Sequence, residues 1–337
     1  MRTQCFDLIG DIHGQYNKLV TLLYMLGYMP GPLRREKHGE SWQVPLTWKH
    51  PQGRKVIFLG DYIDRGPNVR EVLLTVRGMV EEGDAFAIMG NHEYNVVCYY
   101  TPDGQGGFLR PHTEANRHQN QATRGAFETN ELGYGEWPHW LEWMKRLPLF
   151  LNLGNLRCVH ACWDAPSIRL LEGRSIVDEG FLRASAFSGT PENRAIETVL
   201  KGPEIPATDG NLFRDKEGTY RHRIRSRWWG ISDGLTIGDI AMPPSSLADA
   251  MRVDPLTLSG LPNYGAGESP VFFGHYWLPE DAPKEPLAPN IACLDFSGGL
   301  NGPLVAYRWD GERELSAANY VATPASCPTH SAALPAR

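Results

Sequence analysis

The chain has 337 residues, of which 42% are hydrophobic and 21% charged, a balance that fits a water-soluble globular protein with room for one large core. A formal net charge of −6 gives no reason to expect binding to duplex nucleic acid or anionic membranes, and no run approaches the ~20 apolar residues of a membrane span. The first strand-like run begins almost at Met1, which leaves no room for a signal peptide. Six cysteines without a framework spacing read as reduced thiols, so the expected compartment is cytoplasmic. Cys158 and Cys162 are four apart, but no second pair completes a zinc ribbon.

Along the chain, three short apolar runs each end in a glycine and a polar cluster. They are Phe6-Asp7-Leu8-Ile9 before Gly10-Asp11, Val56-Ile57-Phe58-Leu59 before Gly60-Asp61, and Ala85-Phe86-Ala87-Ile88-Met89 before Gly90-Asn91. Such runs read as buried strands delivering functional loops at their C-terminal ends. Between them, residues 15–26 place Leu19, Leu22, Leu23 and Leu26 on one helical face, and residues 68–82 do the same with Val69, Val72, Leu73, Val76 and Val80. Strand, helix, strand, helix, strand implies βαβ units and an α/β fold. Residues 94–146 turn polar, with Tyr99, Tyr100, Tyr134, Trp137, Trp140 and Trp143, and read as a mostly helical insertion. Strand patterns return before His160, before Gly274-His275, at Ile291-Ala292-Cys293-Leu294 and at Leu304-Val305-Ala306-Tyr307. Residues 164–270 read as a loop-rich cap. Residues 1–316 thus form one domain, and residues 317–337 read as a frayed tail.

The post-strand loops carry the chemistry. In order they are Gly10-Asp11-Ile12-His13-Gly14, Gly60-Asp61-Tyr62-Ile63-Asp64-Arg65-Gly66, Gly90-Asn91-His92-Glu93, Val159-His160-Ala161 and Gly274-His275-Tyr276. Aspartate and histidine at strand ends are what a binuclear site for manganese, iron or zinc needs, and the glycines let the backbone turn tightly beside it. A lone Gly-Asp is usually a turn and a lone buried histidine usually a core residue, so the signal lies in five such loops in one order.

The signatures GDxHG, GDxxDRG and GNHE are all intact. They resemble those of the calcineurin-like metallophosphoesterase superfamily, within it the phosphoprotein-phosphatase-type branch, which takes in bacterial Ser/Thr phosphatases and symmetrical diadenosine tetraphosphatases. The resemblance runs from about Phe6 to His275 and is densest in the first third. It implies a four-layer α-β-β-α sandwich with the metals at the strand C-terminal edge. It also implies that Asp11, His13 and Asp61 bind one metal and that Asp61, Asn91, His160 and His275 bind a second, the Asp61 carboxylate bridging both. The cofactor expected is a pair of divalent or trivalent ions, manganese first, with iron or zinc as alternatives. Two metals ~3.5–4 Å apart activate a shared water and clamp phosphate oxygens for in-line attack. His92 follows a metal ligand directly and is expected to protonate the leaving oxygen, with Asp64 orienting it. Arg65 supplies a planar fork for two phosphate oxygens, and Asn91 also faces the phosphate. Purple acid phosphatases resemble this arrangement but place a tyrosine ligand where this chain has Asp64.

The likeness thins later. Ala161-Cys162 stands where the family has two glycines or Ala-Gly. The second phosphate-binding arginine has no clean match; of Arg221, Arg223, Arg225 and Arg227, those beside Trp228-Trp229, Arg225 and Arg227, are favoured, with a packed basic strand as the alternative. Pro262-Asn263-Tyr264 precedes His275, whereas the family's comparable loop follows the last histidine, so it is set aside. The tryptophans of the insertion could stack a nucleobase, but their three-residue spacing also fits a buried helix face. Lys201 could reach a phosphate or stay a surface lysine. The expected reaction is hydrolysis of a phosphorylated substrate. The first reading is a Ser/Thr phosphoprotein phosphatase, the second a symmetrical dinucleoside tetraphosphate hydrolase, and a non-catalytic scaffold is disfavoured because no ligand is missing.

Overall fold

The apolar runs become the strands that carry the site. In the computed structural model, which describes residues 4–31, 47–128, 135–206, 213–214, 220–244 and 251–324, β1 (Phe6–Ile9) leads into α1 (Tyr16–Leu26), β2 (Lys55–Phe58) into α2 (Val69–Glu81), and β3 (Ala85–Ala87) into α3 (Asn91–Tyr100). Then follow α4 (Glu114–Gln119), α5 (Gln121–Phe127), α6 (Trp137–Lys145), β4 (Phe150–Asn152) and β5 (Arg157–Val159). The chain continues through α7 (Ala165–Leu171), α8 (Glu179–Ala186), α9 (Pro191–Lys201), β6 (Val271–Phe273), β7 (Ile291–Cys293), β8 (Val305–Trp309) and β9 (Tyr320–Ala322). The leucines that set the period of α1 are its buried face, and Gly27 ends it in the left-handed conformation.

Two sheets result. The first has the order β9-β8-β1-β2-β3, in which β1, β2 and β3 run parallel and β8 and β9 pair antiparallel. The second has the order β7-β6-β5-β4, with only β4 antiparallel. The sheets face each other across the core, where the rings of Phe272 on β6 and Tyr307 on β8 are 5.0 Å apart. Helices cover the outer faces: α1 packs on β9, α2 on β3, and α7 and α8 on α9. The turn after β5 is pinned to α9 by Ala161 N donating to Val199 O at 3.0 Å. The α/β sandwich read from the sequence is therefore present, and the C-terminal ends of β1, β2, β3, β5 and β6 converge on one edge. No helix of the described residues is long and apolar enough to cross a membrane.

Three boundaries differ from the sequence reading. The 164–270 region is not uniformly loop-rich: it opens with α7, α8 and α9. Each of the three begins at a residue whose side chain caps it, Asp164 (Oδ2 to Ser167 N, 3.0 Å), Asp178 (Oδ1 to Gly180 N, 2.8 Å) and Thr190 (Oγ1 to Asn193 N, 3.0 Å). Proline in the first turn reinforces α7 and α9. The tail begins later than residue 317, since Tyr320–Ala322 adds an edge strand to Val305–Tyr307; residues 325–337 lie outside the described residues. The insertion is mostly helical as read, but its first helix starts before residue 94, at Asn91. Residues 101–113 hold no helix, and Tyr134 lies outside the described residues.

Candidate active site

The five loops meet through backbone torsions that side chains rarely adopt. His13 (φ 46°), Asp61 (53°), Asp64 (70°), Arg65 (63°), His275 (70°) and Trp277 (54°) all lie in the left-handed region, at a cost of about 1–3 kcal/mol each. Surrounding hydrogen bonds impose those torsions. Ile12 N and His13 N both donate to Asp61 O, at 3.1 and 2.8 Å. The fully buried Glu93 carboxylate accepts from Asp61 N and Tyr62 N at 2.8 Å each and from Gly90 N at 2.9 Å. Glu93 therefore ties the β2 and β3 loops together while capping the start of α3. The two loops touch so closely that a Cβ on Gly60 (φ 97°) would lie 2.6 Å from Gly90 Cα. One on Gly274 would lie 1.9 Å from Asp11 Oδ1, so glycine is required where β6 passes the aspartate.

The structure brings Asp11, His13, Asp61, Asn91, His160 and His275 into one buried cluster. His160 Nδ1 lies 2.8 Å from the Leu59 carbonyl, which assigns the ring proton to Nδ1 and leaves a lone pair on Nε2. That atom faces Asn91 Oδ1 at 3.0 Å and Asp61 Oδ1 at 3.4 Å. His275 Nδ1 joins them, 2.7 Å from Asn91 Oδ1. So many acceptors in one place need a proton or a cation among them. Burial alone would lower His160, yet the Asp61 carboxylate overrides it and pushes the group up to about 10; the same field favours a metal ion.

On the other side of Asp61, His13 Nδ1 is held by Ile63 O at 2.8 Å, leaving Nε2 3.5 Å from Asp61 Oδ2. Burial, then the neighbouring His92, holds His13 well below the usual imidazole range, so it stays neutral as a ligand must. Asp11 accepts from His275 N through Oδ2 at 3.1 Å. Asp11 Oδ1, His13 Nε2 and His275 Nε2 are buried and make no hydrogen bond, a cost that metal coordination would remove. Burial, with the nearby Asp295 carboxylate, pushes Asp11 well above the usual carboxylate range, which a cation would reverse. The donor set, carboxylates with imidazoles and one amide oxygen, suits manganese, iron or zinc. The sets Asp61-His160-His275 and His13-Asp61-His92 each have ligand atoms within 4.8 Å of one another. His92 belongs to the second by distance, but its partners give it another role.

His92 Nδ1 is 2.6 Å from Asp64 Oδ2, which leaves Nε2 on the cluster side, 3.9 Å from Asp61 Oδ2. Burial would lower His92, but the Asp61 carboxylate and then the Asp64 hydrogen bond keep it above the ordinary imidazole range. This favours a protonated imidazole, able to give a proton to an oxygen arriving at Nε2. Asp64 is fixed in turn by Thr123 on α5, whose hydroxyl donates to Asp64 Oδ1 and accepts from Asp64 N at 3.0 Å. Arg65 sits over the indole of Trp277, its guanidinium carbon 3.8 Å from the ring centroid. Trp277 N donates to the buried Asp295 Oδ2 at 2.7 Å, and Ser297 N to Oδ1 at 3.0 Å. Thr123, Trp277 and Asp295 were not singled out from sequence, and Glu93 was named only as the last residue of the GNHE signature. Only Glu93 had a local signal, three residues after the helix-capping Gly90.

The remaining candidates separate. Arg225 Nη1 reaches the His275 carbonyl at 3.3 Å and so borders the cluster. Arg227 does not: its Nη2 donates to Gly230 O at 3.2 Å, and its amide to Ile240 O at 2.7 Å. Trp137 and Trp140 are buried, Trp137 stacking on Phe127 at 4.9 Å, so the insertion's tryptophans pack as core. Lys201 pairs with Glu197 on its own helix at 2.6 Å. Tyr264 is buried beside Trp228, away from the cluster. A groove between α2 and α6, lined by Arg77, His139, Trp140 and Trp143, contains none of the cluster residues.

With this geometry in place, comparison with known proteins is decisive for the family. The calcineurin-like phosphoesterase profile matches residues 6–174, half of the chain. This chain belongs to the calcineurin-like phosphoesterase family. Members of that family are metallophosphoesterases, and the cluster supplies residues that could hold metal ions. Among its relatives is a protein named bis(5'-nucleosyl)-tetraphosphatase PrpE [asymmetrical] from Halalkalibacterium halodurans, 40% identical over 26% of this chain and 30% of the relative. One of the same name from Oceanobacillus iheyensis is 29% identical over 46% of this chain and 54% of the relative. The chain thus matches between 30% and 54% of the length of these relatives. Among solved structures, a cold-active protein-tyrosine phosphatase of Shewanella is 16% identical, covering 93% of this chain and 80% of that one, with a TM-score of 0.40.

Proposed function

We propose that this metallophosphoesterase hydrolyses a nucleotide phosphoanhydride, with dinucleoside polyphosphates as the substrate class. The observation that carries the reaction is the His92–Asp64 pair opening onto the Asp61-centred cluster. Asp11, His13 and Asp61 would hold one metal ion, and Asp61, Asn91, His160 and His275 the other, manganese being the first to try and iron or zinc next. When bound, the ions supply an activated water and Lewis-acid stabilisation of the phosphate oxygens. The chain's own residues do the rest. Arg65, seated over Trp277, would offer its guanidinium to phosphate oxygens, and Arg225 adds positive charge from the His275 side. Asn91 fixes the second-metal ligands and borders the phosphate. His92 gives its Nε2 proton to the departing oxygen, while Asp64, held by Thr123, keeps the Nδ1–H aligned. The substrate class is supported by the names of the sequence relatives. A cytoplasmic setting is proposed with it, in keeping with the free thiols of Cys5, Cys98, Cys158, Cys162 and Cys293.

A Ser/Thr phosphoprotein phosphatase is the second reading, since the chemistry lives at phosphorus and specificity in the surrounding loops. The burial of Trp137 and Trp140 favours it, because those residues offer no base platform. Product analysis on manganese-loaded protein separates the two. Diadenosine tetraphosphate is expected to be consumed rapidly, giving ATP and AMP if water attacks a terminal phosphorus and ADP alone if it attacks an inner one. Rapid release of phosphate from a phosphothreonine peptide, with the dinucleotide untouched, would replace the first reading by the second.

A further inference from the structure

We propose that Arg110 forms an anion subsite beside the reaction centre, seating the phosphate group next to the one under attack. The inference rests on the nucleotide-anhydride reading and adds to it a place for the second phosphate.

Arg110 lies in the segment 101–113, which folds back along α3. Its amide donates to Cys98 O at 3.1 Å, while its guanidinium reaches Asn95 Oδ1 at 3.0 Å and Gln119 Oε1 at 2.7 Å. From the level of Cys98 to that of Asn95, the side chain runs toward the start of α3, where Asn91 and His92 sit. Asn95 is four residues beyond Asn91 and three beyond His92, hence on the same helix face and one turn, about 5.4 Å, along the axis. Gln119 ends α4, and four residues later Thr123 holds Asp64. The guanidinium is therefore bracketed by α3, which carries His92, and by the end of α4, one turn before the Thr123 that holds Asp64, and Asp64 lies within its electrostatic range.

The charge on Arg110 is held by neutral partners. Asn95 and Gln119 are amides, and no carboxylate of the described residues lies within ion-pair distance. Glu197, also in electrostatic range, is engaged by Lys201 through both carboxylate oxygens at 2.6 and 2.8 Å. A guanidinium has five N–H donors, and two amide partners leave several for a ligand. Arg110 is half-buried, so its field is screened less than that of a surface arginine. The N-terminal end of the ten-residue α3 adds potential of the same sign. Placing a cation here costs desolvation that the protein does not repay with an acid, and an incoming phosphate would.

The test compares AMP and ADP, presented with excess magnesium, as competitive inhibitors of p-nitrophenyl phosphate hydrolysis by manganese-loaded protein, with calorimetric titration of the same ligands as the second readout. The wild type is expected to bind ADP more tightly than AMP. Arg110→Gln should reduce that preference by about tenfold, and Arg110→Lys, which keeps the charge but loses the fork, should recover part of it. A wild type without preference for ADP, a preference unmoved by Arg110→Gln, or equal losses for both nucleotides would each overturn the subsite. So would weakening confined to an acid-flanked phosphopeptide, which would make the seat a peptide contact. If the ADP preference collapses although diadenosine tetraphosphate is not a substrate, the subsite stands and the substrate reading fails. If the dinucleotide is cleaved and the preference is unmoved, the reverse holds.

Discussion

His92→Asn is expected to lower kcat by about a thousandfold, within the usual range for removing a general acid, while the protein keeps its two metal ions. The reason lies in how His92 is tied. Its Nδ1 is committed to Asp64 at 2.6 Å, and its backbone N–H donates to Asp61 Oδ1 at 2.9 Å. Asparagine preserves the backbone contact that shapes the Asp61 loop, and its shorter side chain leaves no titratable group facing the departing oxygen. The loss should be largest for substrates whose leaving group needs a proton and small for p-nitrophenyl phosphate, whose phenolate departs unaided. Metal analysis alongside steady-state kinetics checks this. A His92→Asn protein that loses a metal, or turns over a poor-leaving-group substrate at the wild-type rate, would remove His92 from the acid role.

Asp61→Asn should act through the metals instead. Asp61 Oδ1 lies 3.4 Å from His160 Nε2 and Oδ2 lies 3.5 Å from His13 Nε2, so this one carboxylate faces both halves of the cluster. Burial would raise it, but the His160, His92 and His13 rings hold it well below the usual carboxylate range, which keeps it anionic. Asparagine retains the shape and removes the charge that both ions would share. Metal content should fall to one ion per chain or fewer, and turnover by about a thousandfold, roughly 4 kcal/mol. The two variants thus fail for different reasons. His92→Asn would be metal-loaded and slow, Asp61→Asn slow because it is underloaded. An Asp61→Asn protein with two metals and near-normal turnover would contradict the bridging assignment.

Much of this site was legible because its chemistry is local. Asp11, His13, Asp61, Asn91, His160 and His275 each sit directly after an apolar run, and a strand that ends in glycine and a polar cluster announces itself within a few residues. The Asp64–His92 pair could be read because both members lie in the same loops. What escaped depends on distant contacts. Thr123 meets Asp64 across 59 positions and Trp277 is fixed by Asp295 across 18; neither is marked by its neighbours. Arg227 was favoured with Arg225 because both adjoin the tryptophans, yet two residues along an extended chain reverse nothing while the turn at Gly230 diverts Arg227. The helices α7 to α9 were missed although a side chain caps each start and α9 buries Ala195, Ile196, Val199 and Leu200 along one face. The last strand, β9, is only three residues long and owes its existence to pairing with β8 rather than to its own Ala-rich surroundings.

The central claim is that one buried cluster holds two metal ions and that hydrolysis depends on both. Its most direct test is to strip the protein with a chelator and titrate manganese back, following bound metal and p-nitrophenyl phosphate hydrolysis together. The expected result is no turnover in the stripped protein, and activity that rises to its plateau as the second equivalent binds. Activity that survives chelation, or saturates at one equivalent, would contradict the account.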